Sequence, residues 1–147
     1  MIIPIASDHA VFETKEKVKA WLEEMDHMPV DFGTHSEESV DYPDFAVQVA
    51  EKVNNGEHDK GILICGSGQG MCMTANKYKN VRAALVYDDK SAKMTRQHNN
   101  ANILCLPGRE LSEEDLKKIV KIWLSTDFDG GRHERRVNKI HDLTDKE

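Results

Sequence analysis

Five short apolar runs, residues 1–6, 30–32, 61–65, 81–87 and 102–106, alternate with longer amphipathic stretches along the chain. Runs of this length bounded by turn formers fit strands. Between them Val18, Trp21, Leu22 and Met25 recur at helical spacing, as do Phe45, Ala46, Val49, Ala50 and Val53, and later Leu116, Ile119, Val120, Trp123 and Leu124. Each set forms one apolar stripe that a helix can turn toward a core. Strands and helices alternating in this way predict βαβ units with right-handed crossovers, hence a mostly parallel sheet with helices on both faces. The expected fold is α/β, a Rossmann-like three-layer α/β/α sandwich around a five-stranded, mostly parallel sheet.

The 147 residues contain no internal repeat, low-complexity segment or linker, so a single domain over residues 1–147 is expected. Ser112, ahead of Glu113, Glu114 and Asp115, reads as a helix N-cap followed by acidic residues suited to the helix dipole. Pro4 cannot donate to a ladder, so the first strand is expected to be short or to start at Ile5. The charged tail, residues 141–147, is expected to fray.

The formal net charge is −6, which argues against nucleic acid, whose phosphates need a surplus of Lys and Arg on one face. Any anionic ligand must be small and locally bound. Nowhere do 18 apolar residues run together, and Met1 leads into a short apolar run without a basic leader, so a soluble, unexported protein with no membrane partner is expected. Cys65, Cys72 and Cys105 are odd in number and form no C-x-x-C pair. That pattern fits a reducing, cytoplasmic compartment rather than a disulfide framework or zinc knuckle.

In an open parallel sheet, ligands collect beyond the carboxyl ends of the strands. Polar residues crowd there: Ser7, Asp8 and His9 after the first run, Cys65-Gly66-Ser67-Gly68-Gln69-Gly70 after the third, and Gly108 and Arg109 after the fifth. His98, Asn99 and Asn100 precede the fifth run. The glycine loop between a strand and a helix lets backbone N–H groups converge on an anion. A dinucleotide fingerprint fails because Met71 fills the last glycine place, no Gly-Lys-Ser/Thr ends the loop, and no Arg stands where a cysteine phosphatase needs one. A plain tight turn is the ordinary alternative.

Cys65 ends an apolar run, where most cysteines are small buried hydrophobes. Its place beside the loop and a helix N-terminus, which can lower a thiol pKa, makes it a candidate base. Cys72, inside the following helix, and Cys105, inside a strand, lack that setting. Asp8-His9 is either a catalytic pair or a helix N-cap followed by a solvated imidazole, and His98 either a functional group or a helix-end histidine. Tyr42-Pro43-Asp44 reads equally as a helix start. Arg132 and Arg136 are four apart, so on a helix both forks face one way and suit a phosphate; a solvated basic face is the alternative. His9, His98, His133 and His141 show no metal-ligand spacing, so no metal is expected and activity should survive a chelator.

Taken together, Ser7-Asp8-His9-Ala10, Asp41-Tyr42-Pro43-Asp44, Gly61-Ile62-Leu63-Ile64-Cys65-Gly66-Ser67-Gly68, Ala75-Asn76-Lys77, Arg82-Ala83-Ala84, His98-Asn99-Asn100-Ala101-Asn102 and Gly130-Gly131-Arg132-His133 resemble the ribose-5-phosphate isomerase B family, which also contains the galactose-6-phosphate isomerase subunits. The resemblance spans nearly the whole chain and implies an aldose–ketose isomerase acting through a cis-enediolate, without a redox cofactor.

Carried over position by position, it implies that Cys65 removes the C2 proton and that Ser67 returns a proton or polarises an oxygen. It gives Asp8 the hydroxyl protons, His98 ring opening, and His9, Arg132 and Arg136 the phosphate, with Tyr42, Asn99 and Arg109 as further substrate contacts. Gly66, Gly68 and Gly70 lie in the loop whose amides would face the enediolate. It also implies a homodimer, or dimer of dimers, with the site shared between subunits. Ser67 stands where threonine is common and Val11 where glycine often follows. Other members carry a carboxylate base farther along the loop, where this chain has Gly70, Met71, Cys72, Met73 and Thr74. The same reaction on a hexose 6-phosphate such as allose or galactose 6-phosphate is one rival; a noncatalytic sugar-phosphate or nucleotide-binding module is another.

Overall fold

Burial on both faces is what makes the central runs strands. In the computed structural model, which describes residues 1–145, Ile62 and Ile64 join one apolar cluster while Leu63 and Cys65 join the other, as the two-residue period of a strand requires. The elements are β1 (Ile2–Ser7), a 3-10 turn (His9–Val11), α1 (Phe12–Glu24), β2 (Met28–Asp31), α2 (Tyr42–Asn54), β3 (Gly61–Cys65), α3 (Gln69–Ala75), β4 (Ala83–Leu85), α4 (Asp89–Gln97), β5 (Ile103–Pro107), α5 (Glu113–Ser125) and α6 (Arg132–Thr144).

The sheet has the order β2-β1-β3-β5-β4, and all its pairings are parallel. One cluster packs α1, α4 and α5 against the sheet through Val18, Trp21, Leu22, Ala92, Ile119 and Trp123. The other packs α2 and α3 through Val49, Ala50, Val53, Met71 and Ala75. From β1 to β2 the chain moves outward under α1; from β3 to β4 it moves the opposite way under α3, on the other face. Opposite direction on the opposite face preserves one crossover hand. The direction changes between neighbouring β1 and β3, and the crevice beyond their carboxyl ends is where such folds bind ligands.

The expected fold class stands, with three local corrections. Pro4 lies inside β1, paired with Val30, but the register with β3 begins only at Ile5. Ile5 turns its carbonyl to Phe32 on the β2 side, so the alternating Pro4 nitrogen faces the β3 side below the start of that ladder, where no donor is needed. The fourth run shortens to Ala83–Leu85 and β2 sits at Met28–Asp31, both at sheet edges where burial continues past the pairing. The tail is ordered as α6 through Thr144, because buried Val137 anchors the helix and His141 Nδ1 meets the Lys79 carbonyl at 3.0 Å. The rest of the expected frayed segment, residues 146–147, lies outside the described residues. Among the described residues, no helix is long and apolar enough to cross a membrane.

Candidate active site

The carboxyl edge of β1 and β3 gathers Asp8, His9, Tyr42, Cys65, the 66–70 loop and Arg109. Asp8 is the cap that its sequence context allowed. Its backbone amide donates to the Ile64 carbonyl at 3.3 Å, tying it to β3, and its carboxylate caps the 3-10 turn by accepting from the Ala10 amide at 3.1 Å. His9 is not merely solvated: its Nδ1 accepts from the Val40 amide at 3.0 Å. A ring nitrogen that accepts leaves the proton on Nε2, so His9 presents a donor outward.

The loop after Cys65 owes its shape to its glycines. Gly68 starts α3 with φ 79°, and a Cβ there would lie 2.5 Å from Leu85 Cδ1. A Cβ on Gly70 would stand 2.5 Å from the Tyr42 ring, so that ring closes the loop only over a bare backbone. Arg109 crosses Gly66, and its amide donates to the Gly66 carbonyl at 3.0 Å. Ser67 is exposed, and its Oγ accepts weakly from the Gln69 amide at 3.4 Å, which leaves the hydroxyl proton free to donate.

Burial pushes the Cys65 thiol above its ordinary value, with the negative charge of Asp8 adding to the rise, while the amides of Met71, Gly68 and Gly70 turn to the sulfur and favour its thiolate. The expected net lowering is therefore corrected: the amide cradle exists, but desolvation outweighs it. Cys105 is fully buried, and Cys72 is half-buried with its thiol donating to the Ala83 carbonyl at 3.6 Å.

His98, Asn99, Arg132 and Arg136 do not join this group. His98 caps the end of α4, and Asn102, next to β5, accepts at its carbonyl from the Gly61 amide at 3.0 Å, which puts the segment at the amino edge of the sheet. Cys65 pairs with Pro107 at the other end of the same strands. Four residue steps separate these edges, roughly 13 Å along the strands. Arg132 opens α6 one turn before Arg136, both exposed, and the Asp129 amide donates to the Gln97 carbonyl at 3.1 Å. The His98 and His133 rings stack at 4.2 Å and 13°. A groove of about 840 Å³ continues past Asn99 and Arg82 to Ile140 and His141.

The histidines are less scattered than their spacing indicates, since ligand atoms of His98, Asp129 and His133 lie within 4.8 Å of one another. The two rings stack with 13° between their planes, which holds their nitrogen lone pairs in near-parallel planes rather than converging on one point. Two participants escaped the sequence: the Val40 amide that sets the His9 tautomer, and Arg96, buried behind His98. A backbone amide leaves no sequence signal, and an arginine on a polar helix reads as solvated.

The fold and the cradle define a Rossmann-like α/β protein with a glycine-rich, amide-lined loop beyond its strand ends. The sequence profile of the Ribose/Galactose Isomerase family matches residues 3–140, and the chain belongs to that family. It is 43% identical over 138 residues to ribose-5-phosphate isomerase B of Escherichia coli (strain K12), covering 94% of this chain and 93% of that one. The ribose-5-phosphate isomerase B structure from Clostridium thermocellum superposes with TM-score 0.96 at 45% identity, covering 99% of this chain and 98% of that one. The Mycoplasma genitalium ribose-5-phosphate isomerase B, solved with bound ribulose-5-phosphate, gives TM-score 0.94 at 45% identity over 99% of this chain and 97% of that one.

Proposed function

We propose that this chain interconverts ribose 5-phosphate and ribulose 5-phosphate in a site completed by a second copy. The observation that carries this reading is the separation of Cys65, with its amide cradle, from His98, Arg132 and Arg136 at the opposite edge of the same strands. One sugar phosphate cannot touch both edges of one chain, whereas a partner can bring its amino edge to the Cys65 edge. The M. genitalium relative carrying ribulose-5-phosphate supports the five-carbon substrate over a hexose 6-phosphate.

In this reading His98 of the second copy assists ring opening, and Tyr42 and Asn99 hold the open chain. The Cys65 thiolate takes the proton from C2, the electron pair moves to O1, and amides of the 66–70 loop meet the enediolate. Asp8 shifts the hydroxyl proton between O2 and O1, Ser67 polarises the oxygen, and the Cys65 thiol returns its proton to C1. The atoms balance with no electrons leaving the sugar, so no redox cofactor is required. His9 Nε2–H and Arg109 of one copy, with Arg132 and Arg136 of the second, hold the phosphate, whose binding energy orients C2. A sugar-phosphate enzyme of this kind belongs in the cytoplasm.

The test combines assay and complementation. Wild type should convert ribose 5-phosphate with higher kcat/KM than allose or galactose 6-phosphate. Cys65→Ala and Arg132→Ala should each be weak alone, yet regain activity when mixed and allowed to exchange subunits, because one hybrid site is intact. An inactive wild type overturns the isomerase; an active wild type whose variants never complement overturns the shared site.

A further inference from the structure

The arm that a second copy would lend to the proposed site is assembled from separate pieces of chain: His98 and Asn99 at the end of α4, and on α6 the proposed phosphate ligands Arg132 and Arg136, with His133 between them. We propose that Arg96, acting with Asn100, is the positioning residue that sets the spacing of this arm, an inference that rests on the arm being the phosphate site of the proposed reaction.

Arg96 is 5% exposed. A guanidinium so buried must satisfy its donors internally, because leaving them unpaired away from water is costly. Its Nη1 donates to Asn100 Oδ1 at 2.9 Å and to the Ala101 carbonyl at 2.7 Å, and its Nε donates to the Thr126 carbonyl at 3.2 Å. The guanidinium carbon sits 5.7 Å from the centre of the buried Trp123 ring, within cation–π range. All three acceptors are neutral, so direction rather than charge pairing holds the group in place.

Those acceptors lie on the two pieces that must be kept in register. Asn100 and Ala101 belong to the turn that carries His98 and Asn99; Thr126 ends α5, where the chain sets out for Asp129 and α6. Arg82 grips the same turn from the other side, its Nε donating to the Asn100 carbonyl at 2.9 Å while its Nη1 meets His141 Nε2 at 2.9 Å. Asn100 is thus held through both its carbonyls, with φ 49°, a left-handed conformation asparagine tolerates better than most side chains. The His98–His133 stack joins the same two pieces of chain, the end of α4 and the start of α6.

Two variants test this without depending on one fold. Arg96→Lys retains a cation but cannot make the three directed bonds; Asn100→Gly keeps the left-handed backbone but loses Oδ1. Each should raise KM for ribose 5-phosphate and the inhibition constant of inorganic phosphate about tenfold while changing kcat by less than about threefold, the signature of lost binding rather than lost chemistry. Folded variants with unchanged KM and unchanged phosphate inhibition overturn the inference, whatever their Tm. If Arg96→Lys does not fold, Asn100→Gly alone decides. A wild type that does not turn over ribose 5-phosphate counts against the proposed function alone. The imidazole resonances of His98 and His133 then decide: both variants should lose the mutual ring-current shift, and unchanged resonances overturn the inference.

Discussion

The imidazoles of His98 and His133 stack face to face, ring centres 4.2 Å apart, joining the end of α4 to the first turn of α6. Loss of hydration, then the neighbouring His98 and Arg132, push the His133 imidazole below its ordinary 6.5, while Asp129 pulls it upward. At neutral pH the ring is therefore mostly uncharged. A phosphate bound beside it favours the protonated form, and by linkage must raise its pKa. A histidine NMR titration should place His133 below 6.5 in the free protein and move it upward when inorganic phosphate is added. A midpoint that saturating phosphate does not move would take His133 out of the arm.

Cys65→Ala should leave folding and substrate binding largely intact while lowering kcat by roughly 10²–10⁴, the usual worth of a positioned base. Cys72→Ala should retain most of its activity; equal losses would remove Cys65 from the role. The thiol's own titration gives a second reading. In a Cys72→Ala background, the alkylation rate of Cys65 by iodoacetamide should rise with pH through a midpoint above the ordinary thiol value, because burial and Asp8 both disfavour the thiolate. Asp8→Asn removes the negative charge, so the midpoint should shift to lower pH. A shift the other way would show that Asp8 does not act on the sulfur through its charge.

Arg132→Ala and Arg136→Ala should each raise KM, and can lower kcat as well, because a remote phosphate anchor positions the reacting carbon. Losing one charged hydrogen-bonding partner should cost about 1.5–3 kcal/mol in kcat/KM, roughly ten- to a hundredfold. Unphosphorylated ribose is the control: the variants should prefer the phosphorylated sugar less than wild type does. A full wild-type preference would make these arginines a solvated face.

The sequence was most legible where residue type alone carries the constraint. The β3 boundaries agree with the apolar run at residues 61–65 because that strand is buried along its whole length. At the β4 edge, Val81 and Val86 are buried without belonging to the ladder, so an apolar run reported burial and overstated pairing. The Cys65 loop was readable because a Cβ at Gly68 or Gly70 would collide with a neighbour. The Cys65 pKa direction was not, since it depends on a balance between burial and amides that spacing does not contain. Arg96 was hidden for a related reason: α4 is polar overall, and the arginine becomes interior only through its contacts with the 100–101 turn and Thr126.

Stability should depend on a charge pair beneath the loop that holds His9. The Lys15 side chain is fully buried, and its ammonium donates to Asp31 and, at 3.2 Å, to Glu16. Lys19 donates to the same Asp31 carboxylate at 2.9 Å, and the Gly33 amide donates to it at 2.8 Å. Burial would raise the Asp31 carboxyl, but the hydrogen bonds from Lys15, Lys19 and Gly33 outweigh it and hold it below the ordinary carboxylate range. A depressed folded pKa contributes stability above the unfolded value, about 3.9, and loses it as pH falls through the folded value. Asp31→Asn should therefore destabilise the protein by about 3–5 kcal/mol at neutral pH, the cost of stranding a buried charge, and should lose less further stability than wild type below about pH 4. Adding Lys15→Met should recover part of that loss, since the stranded cation is then gone. Urea unfolding of wild type, both single variants and the double variant measures all three. An Asp31→Asn protein within about 1 kcal/mol of wild type would mean that Lys15 finds enough compensation in Glu16 and in the Phe12 ring 5.2 Å away.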